Sequence, residues 1–349
     1  MTQLNYLQLV SAQTPTQFWN DSGEPSDVAS ALANGASGVT TNPILIPRTV
    51  LAHPEMWQER VLYFSRTMAA QDIPHAVTAE VVSTVADMIL PTYSRTQGGA
   101  GYVCAQCNPN NYTNAQLMVD EALAYNALRP NIANKIPVSA AGLEAIEELT
   151  SSGVTTTCTT SFTVPQVLAI AEAFRRGLKR RSKSVTSKLV HCYAVIMAGR
   201  LDDHLRDEVK AGRGQASEQA ITISGLAVCK RAYRMFQERG YESMLLVGGM
   251  RGHYHVTELV GGAMVLTIAP SMQTEILSKG YALRRTIDDA VDVDLVQEMF
   301  GVPDFRRAYE PDGMTPDEFA GFGAFVKTQG QFIESYKKLA QFVQQSLSK

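Results

Sequence analysis

The sequence predicts an α/β fold, a (β/α)8 TIM barrel followed by a C-terminal helical extension. The prediction rests on the length of 349 residues, on eight strand-like segments, and on the helical patterns that separate nearly all of them. Two ordinary domains would also fit the length. Alternating strands and helices indicate parallel βαβ units, however, and a closed barrel brings every strand's carboxyl end to one face. We expect residues 1–310 to form the catalytic barrel and residues 311–349 a helical tail packed on it.

The composition is that of an ordinary globular protein and argues against two classes of partner. Hydrophobic residues make up 45% of the chain, and a net charge of −3 gives no general attraction for nucleic acid or an anionic membrane. No apolar run approaches the roughly 18 residues of a membrane span, and the polar N-terminus lacks the features of a signal peptide. We therefore expect a cytoplasmic protein without nucleic-acid or membrane partners.

The five cysteines predict neither disulfides nor a metal site. Their number is odd, and most of them lie in apolar, strand-like segments, as reduced packing residues do. Cys104 and Cys107 have the spacing of a redox or zinc motif, but no second pair or nearby histidine pair completes four ligands. We expect no metal and no cofactor.

Polar residues end the first three predicted strands, which are placed at residues 16–21, 35–41 and 102–106. Asp21 ends the first strand, Asn42 follows the second, and Gln106 ends the third. A helical pattern at 77–90 leads to the third strand, and we expect this helix to stop near Pro91. On one face of a barrel, these three polar side chains would converge.

The remaining strands are predicted at residues 132–138, 154–159, 189–198, 243–247 and 264–268. Thr163 and Pro165 suit the N-cap and an early position of the helix after the fifth strand. Arg200 and Arg251 follow the sixth and seventh strands, and a long helix at 218–239 separates these two strands. Both arginines would therefore also reach the carboxyl face.

Lys135 is the candidate for covalent chemistry. It lies among apolar residues of the fourth strand, just before a helical pattern. An apolar environment disfavours the charged ammonium and leaves a free amine that can attack a carbonyl as a Schiff-base lysine. The alternative is a lysine at a strand end whose ammonium reaches water.

Two further segments are assigned no chemistry. The basic run at residues 178–188 lies between a helix and a strand, so we interpret it as a solvated connection. The tail carries a stripe of large apolar side chains at helical spacing: Phe319, Phe322, Phe325, Phe332, Tyr336, Leu339 and Phe342. Such a stripe is typical of core or subunit packing, which leaves a homodimer open, and we expect the tail to lie over the barrel.

The sequence resembles the transaldolase family from about Phe18 to Leu277. Residues 38–43, GVTTNP, are similar to the family's strand-two signature, and residues 135–143, KIPVSAAGL, are similar to its Schiff-base strand and helix start. Residues 91–103 are similar to the approach to strand three in the longer members. The three pieces occur in the family's order and register, which makes them specific when taken together.

The resemblance implies four catalytic residues. Lys135 would form an imine with a ketose carbonyl, and Asp21 would take the proton of the C4 hydroxyl as the C3–C4 bond breaks. Thr159 would help to hold a catalytic water. Gln106 stands where the usual transaldolases carry a glutamate, as in the related fructose-6-phosphate aldolases, and it can orient a water but cannot take its proton.

The resemblance also implies the substrate-binding residues. Asn42 would bind hydroxyls of the donor sugar, and Thr41 and Ser139, within the two main motifs, would lie beside it. Arg200 and Arg251 would bind the phosphate of a sugar phosphate, because guanidinium groups match phosphate oxygens. No metal is needed, because the iminium replaces a Lewis acid.

Further departures concern substrate contacts. Val195 and Met197 stand where the family has a donor-contacting serine and an aromatic residue, and Gly249 replaces a phosphate-contacting serine. The leading interpretation is a transaldolase, of the kind found in the pentose phosphate pathway, that transfers dihydroxyacetone from a ketose phosphate to an aldose phosphate. A fructose-6-phosphate aldolase-like lyase and a non-catalytic sugar-phosphate binder are the alternatives.

Several polar residues are expected to be structural or are set aside. The histidines near strand ends are expected to be structural: His191, His253 and His255. Glu80 superficially resembles the family's strand-three acid, but the count from Lys135 places it in the preceding helix. Arg200 could instead form a surface ion pair with Asp202 or Asp203.

Overall fold

Parallel strands form one closed barrel in the computed structural model, which describes residues 4–181 and 189–348. The strands of the described residues are Gln17–Asn20 (β1), Gly38–Val39 (β2), Tyr102–Gln106 (β3), Ile132–Pro137 (β4), Thr156–Thr159 (β5), Cys192–Met197 (β6), Met244–Gly248 (β7) and Val265–Ile268 (β8). Each strand pairs with the next in sequence, and β8 closes the ring on β1. The predicted (β/α)8 fold is therefore confirmed.

Helices surround the barrel. Those in the described residues are Tyr6–Gln13 (α1), Pro25–Ala33 (α2), Leu45–Ala52 (α3), Pro54–Phe64 (α4), Ile73–Arg95 (α5), Ala115–Leu128 (α6), Ala140–Ser151 (α7), Val164–Arg180 (α8), Ala198–Lys210 (α9), Glu218–Thr222 (α10), Ser224–Glu238 (α11), Tyr254–Thr257 (α12), Pro270–Lys279 (α13), Val293–Met299 (α14), Pro303–Tyr309 (α15) and Gly323–Leu347 (α16). Thr163 caps α8 as predicted, since its hydroxyl accepts the backbone N–H of Gln166.

Close backbone approaches fix the strands that carry the site. A Cβ on Gly38 would lie 2.2 Å from the Trp19 indole, so β2 can pass this buried ring only with glycine. A Cβ on Gly142 would lie 1.9 Å from the carbonyl oxygen of Pro137, so α7 packs directly on the end of β4. Both glycines belong to the motifs recognised in the sequence.

Two helix boundaries differ from the sequence-based expectation. Helix α5 continues through Pro91 to Arg95. Pro91 lies near the end of this helix, where it removes a single backbone donor, and buried residues from Ile73 to Ile89 hold the helix against the barrel. The helix expected at 218–239 is divided between α10 and α11, because the backbone N–H of Gly225 donates to Asp202.

Helix α5 also has the length and mean hydropathy of a membrane span, but half of the relevant window is buried inside the protein. It contacts β3, α2 and α16, as a wall helix of the barrel does. Most of the basic run expected to be a solvated connection, residues 182–188, lies outside the described residues.

The C-terminal tail packs on the barrel. Helix α16 contacts α3, α4, α5 and α9, and Phe325, Phe332 and Leu339 of the aromatic stripe are buried. The stripe is thus covered within the same chain and does not itself require a second subunit. The division of the chain at residue 310 stays a prediction, since α14 and α15 already leave the strand-helix repeat before it.

Candidate active site

A cavity of about 310 Å³ opens at the carboxyl face of the barrel. Six of the site residues predicted from the sequence line it: Asp21, Asn42, Lys135, Thr159, Arg200 and Arg251. They come from six different strand ends, and the volume lies in the range of small-molecule sites. The barrel therefore brings together side chains that are far apart in the sequence.

Lys135 lies on β4 and is only 6% exposed. Its Nζ donates to the carbonyl oxygen of Thr41 at 3.0 Å. Burial lowers the pKa of the Lys135 amine, against the opposing influence of Cys104 and Asp21. The environment therefore favours a neutral amine next to open space, which is the form that attacks a carbonyl.

Asp21 follows β1 and faces the same cavity. Burial raises the pKa of its carboxyl, whereas the Thr40 hydroxyl, Lys135, Arg200 and Arg48 lower it. The Thr40 hydroxyl donates to Asp21 at 2.7 Å. Because this hydroxyl has a single proton, Thr267, whose oxygen lies 2.6 Å away, must be the donor to Thr40. This chain of hydroxyls orients a carboxylate that can exchange a proton.

Asn42 and Thr159 line the cavity in different ways. The side-chain oxygen of Asn42 accepts the backbone N–H groups of Ile44 and Leu45, so it also starts α3. The Thr159 hydroxyl is buried and has no hydrogen-bond partner among the described residues. A buried hydroxyl without a hydrogen-bond partner is uncommon, because it is energetically unfavourable. In a binding site, a bound water or substrate can supply the missing hydrogen bond.

Three predicted site residues lie outside the main cavity. Gln106 is opposite Lys135 in the register of β3 and β4, but it lines a second cavity of about 20 Å³ together with Thr41. The Thr41 hydroxyl donates to the Cys104 carbonyl oxygen at 2.6 Å. Ser139 caps α7, where its hydroxyl accepts the backbone N–H of Gly142. The second cavity has the size of a single water molecule.

Arg200 and Arg251 lie beside each other at the ends of β6 and β7. Arg200 donates to Gln331 of α16, and burial together with the nearby Arg251 lowers the pKa of its guanidinium. Arg251 donates through Nη2 to Asp203 at 2.7 Å and through Nη1 to the Gly249 carbonyl oxygen at 2.9 Å. Thus Arg251, and not Arg200, forms the ion pair with Asp203 that the sequence had suggested as an alternative.

Apolar side chains of β6 form another part of the wall. Val195 and Met197 line the cavity where the resemblance would place a serine and an aromatic residue. Gly249 has a φ of +63°, a left-handed conformation that strains residues with a side chain. The glycine at this departure from the family pattern is therefore explained by the backbone, which turns so that Arg251 can bond the carbonyl oxygen of Gly249.

Sequence reasoning missed several polar groups of this site, among them Thr267, Arg48 and Thr40. Arg48 of α3 lines the cavity and lowers the pKa of Asp21. It has no hydrogen bond or ion pair with any described residue. Thr40 orients Asp21 from within the motif that had already been recognised. Arg48 lies in α3, the helix that follows the carboxyl end of β2. Only this position in the chain could have indicated that Arg48 belongs to the site.

The residues set aside from the chemistry have structural partners. Glu80 lies in α5, as expected, and receives hydrogen bonds from Arg60. His191 contacts the carbonyl oxygen of Gly98 at 2.9 Å, and burial lowers the pKa of its ring. His253 contacts Glu275 at 3.1 Å.

Comparison with known proteins identifies the family of the chain. The model of the transaldolase/fructose-6-phosphate aldolase family matches residues 18–309. The chain therefore belongs to this family, and it is an enzyme of the Schiff-base transferase type.

Individual relatives carry the same name. A transaldolase of Thiobacillus denitrificans is 25% identical over 320 residues, which cover 79% of this chain and 88% of the relative. Transaldolase 2 of Streptomyces coelicolor is 28% identical over 58% of this chain and 55% of its own length. A transaldolase of Thermobifida fusca is 26% identical, also over 58% of this chain and 55% of its own length. The chain thus spans about half the length of the latter two relatives.

Proposed function

We propose that this protein is a transaldolase that cleaves a ketose phosphate through an imine at Lys135 and transfers the resulting dihydroxyacetone unit to an aldose phosphate. The observation that carries the proposal is the placement of Lys135 and Asp21 on one cavity, each with a pKa shifted towards its neutral form. A neutral amine forms the imine, and a carboxyl group with a raised pKa can both accept and return a proton.

The reaction uses these two groups in turn. Lys135 Nζ attacks the ketose carbonyl, and loss of water gives a protonated imine. Asp21 takes the proton of the C4 hydroxyl, the C3–C4 bond breaks, and its electron pair moves into the iminium to give an enamine. An aldehyde leaves, the acceptor aldehyde enters, and the same steps run in reverse. Asn42 and Thr159 are proposed to bind the donor hydroxyls and the catalytic water.

Sugar phosphates are the substrate class that fits the other end of the cavity. Arg200 and Arg251 provide two guanidinium groups at adjacent strand ends, and a phosphate can replace their present partners Gln331 and Asp203. Thr41 and Ser139 are proposed to act through backbone and helix-cap contacts, because their hydroxyls are already bonded within the protein.

A lyase that uses free dihydroxyacetone is the second candidate, and Gln106 favours it. The Gln106 amide is buried without a partner among the described residues, which suits the orientation of one water. The test compares fructose 6-phosphate plus erythrose 4-phosphate with free dihydroxyacetone plus glyceraldehyde 3-phosphate. A transaldolase is faster in the first reaction, and a lyase in the second.

A failure of both reactions would contradict both candidates. We further propose that the enzyme acts in the cytoplasm, which the five buried, unbonded cysteines support.

A further inference from the structure

A buried carboxylate-imidazole pair lies behind the loop that carries Arg251. Asp202 of α9 is 1% exposed and His255 of α12 is 0% exposed. His255 Nε2 and Asp202 Oδ2 lie 3.2 Å apart. The contact has ion-pair distance without hydrogen-bond alignment, and neither atom has a hydrogen-bond partner among the described residues. The two side chains therefore depend on each other.

The other nitrogen of this imidazole contacts the binding loop. The backbone N–H of Arg251 donates to His255 Nδ1 at 3.2 Å. This bond makes Nδ1 an acceptor, so in the neutral ring the proton is on Nε2, the nitrogen that lies beside Asp202. Asp202 Oδ1 in turn accepts the backbone N–H of Gly225 at 2.7 Å. A continuous path of polar contacts thus runs from the start of α11 to the backbone of Arg251.

Asp202 and Asp203, two consecutive residues of α9, hold the backbone and the guanidinium of Arg251, respectively. Asp202 acts on its backbone through His255, whereas Asp203 bonds its guanidinium directly. Burial raises the pKa of the Asp202 carboxyl, and the His255 contact opposes this change. A buried polar pair of this kind gives little stability compared with apolar residues of the same volume, so its value is expected in positioning.

We propose that Asp202 and His255 are positioning residues that fix the Arg251 loop for an anionic substrate group, and so favour phosphorylated over unphosphorylated substrates. Gly249 supplies no side chain to hold this loop, and its left-handed backbone leaves the turn dependent on neighbouring contacts. This inference rests on the proposed role of Arg251 in binding phosphate.

Three variants test the arrangement in the full chain. His255→Phe keeps a ring without a donor or an acceptor, whereas His255→Gln keeps one of each. Asp202→Asn would present an amide N–H to Nε2, and this would force the ring proton to Nδ1, against the Arg251 N–H. His255→Phe and Asp202→Asn should weaken the binding of inorganic phosphate about three- to tenfold, and the KM for phosphorylated acceptors should rise in parallel. His255→Gln should retain most of the affinity.

The controls separate positioning from stability and from the proposed function. The KM for unphosphorylated glyceraldehyde should stay unchanged in all three variants. Equal losses in His255→Gln and His255→Phe, or equal losses with both acceptors, would overturn the inference. Nitrogen NMR of His255 in the unmodified protein should show the proton on Nε2, and a proton on Nδ1 would also overturn it. If phosphate binding follows the expected pattern but no ketose is turned over, the proposed activity fails and the inference stands.

Discussion

The two sides of the barrel mouth differ in how firmly they hold their charged groups. Near β1 and β4, Asp21 and Lys135 lie deep in the barrel, and burial shifts both pKa values towards the neutral forms. Near β6 and β7, the Arg251 side chain is 42% exposed and Arg200 is bonded to α16. The first side is prepared for chemistry before substrate arrives, whereas the second must exchange internal partners for an anion.

Replacement of Lys135 should give the largest effect. Lys135→Met keeps the length of the side chain and removes the amine, so turnover should fall at least about a thousandfold. Borohydride with a ketose should add no mass to this variant. Lys230 offers a matched control, because it is also a buried lysine with a lowered pKa, but it donates to Thr286 and Asp289 away from the cavity. Lys230→Met should still be trapped at Lys135, and a trapped wild-type Lys230 would contradict the assignment.

The Asp21→Asn substitution should separate imine formation from bond cleavage. The amide cannot accept the C4 proton, so cleavage should slow about 100- to 10,000-fold, the usual contribution of a general base. Imine trapping should persist, because burial still lowers the pKa of the Lys135 amine when Asp21, which raises it, is replaced. Measurement of the trapped mass beside the rate of aldehyde release tests this, and equal loss of both would remove Asp21 from its role.

The residues at the strand ends could be predicted from sequence on both sides of the mouth. Strand ends and the two motifs located Asp21, Asn42 and Lys135, because a parallel barrel converts linear order into a ring of strand ends. All eight strands were also predicted, because each is a strand-like segment between helical patterns. The helix that continues through Pro91 was not, because packing against the barrel outweighs a local helix-breaking preference.

Partners across the fold account for what the sequence did not reveal. Whether Ser139 faces substrate or caps a helix depends on the backbone of Gly142, and the second cavity beside Gln106 depends on how α16 packs. Asp203 was recognised as an ion-pair partner, but the choice between Arg200 and Arg251 is made by the turn at Gly249. Each of these contacts depends on the distance between two structural elements, and a pattern along the sequence does not reveal such distances.

An intermediate effect is expected at Arg251. The Arg251→Gln substitution removes a charged donor from the proposed anion site, so the KM for a phosphorylated acceptor should rise about 10- to 100-fold. The rate with unphosphorylated glyceraldehyde should change little. Arg129→Gln is a matched control, because Arg129 also bonds an aspartate, Asp87, at an exposed position away from the cavity. A similar KM increase for both acceptors would mean that Arg251 does not read the phosphate.

The smallest effect is expected at Arg48, which lines the cavity and acts on Asp21 through its charge. It lies on α3 and lowers the pKa of Asp21, so Arg48→Gln should raise that pKa. The Asp21 carboxylate would then be lost at a higher pH as the solution is acidified. The acid limb of the pH-rate profile for cleavage should therefore move upward, by less than about one pH unit because Arg48 is exposed. Arg66→Gln, at an exposed position outside the cavity lining, is the control and should leave the profile in place. A downward movement of the acid limb in Arg48→Gln would show that this arginine does not support the carboxylate, and Lys135 and Arg200 would then be the remaining charges that lower the pKa of Asp21.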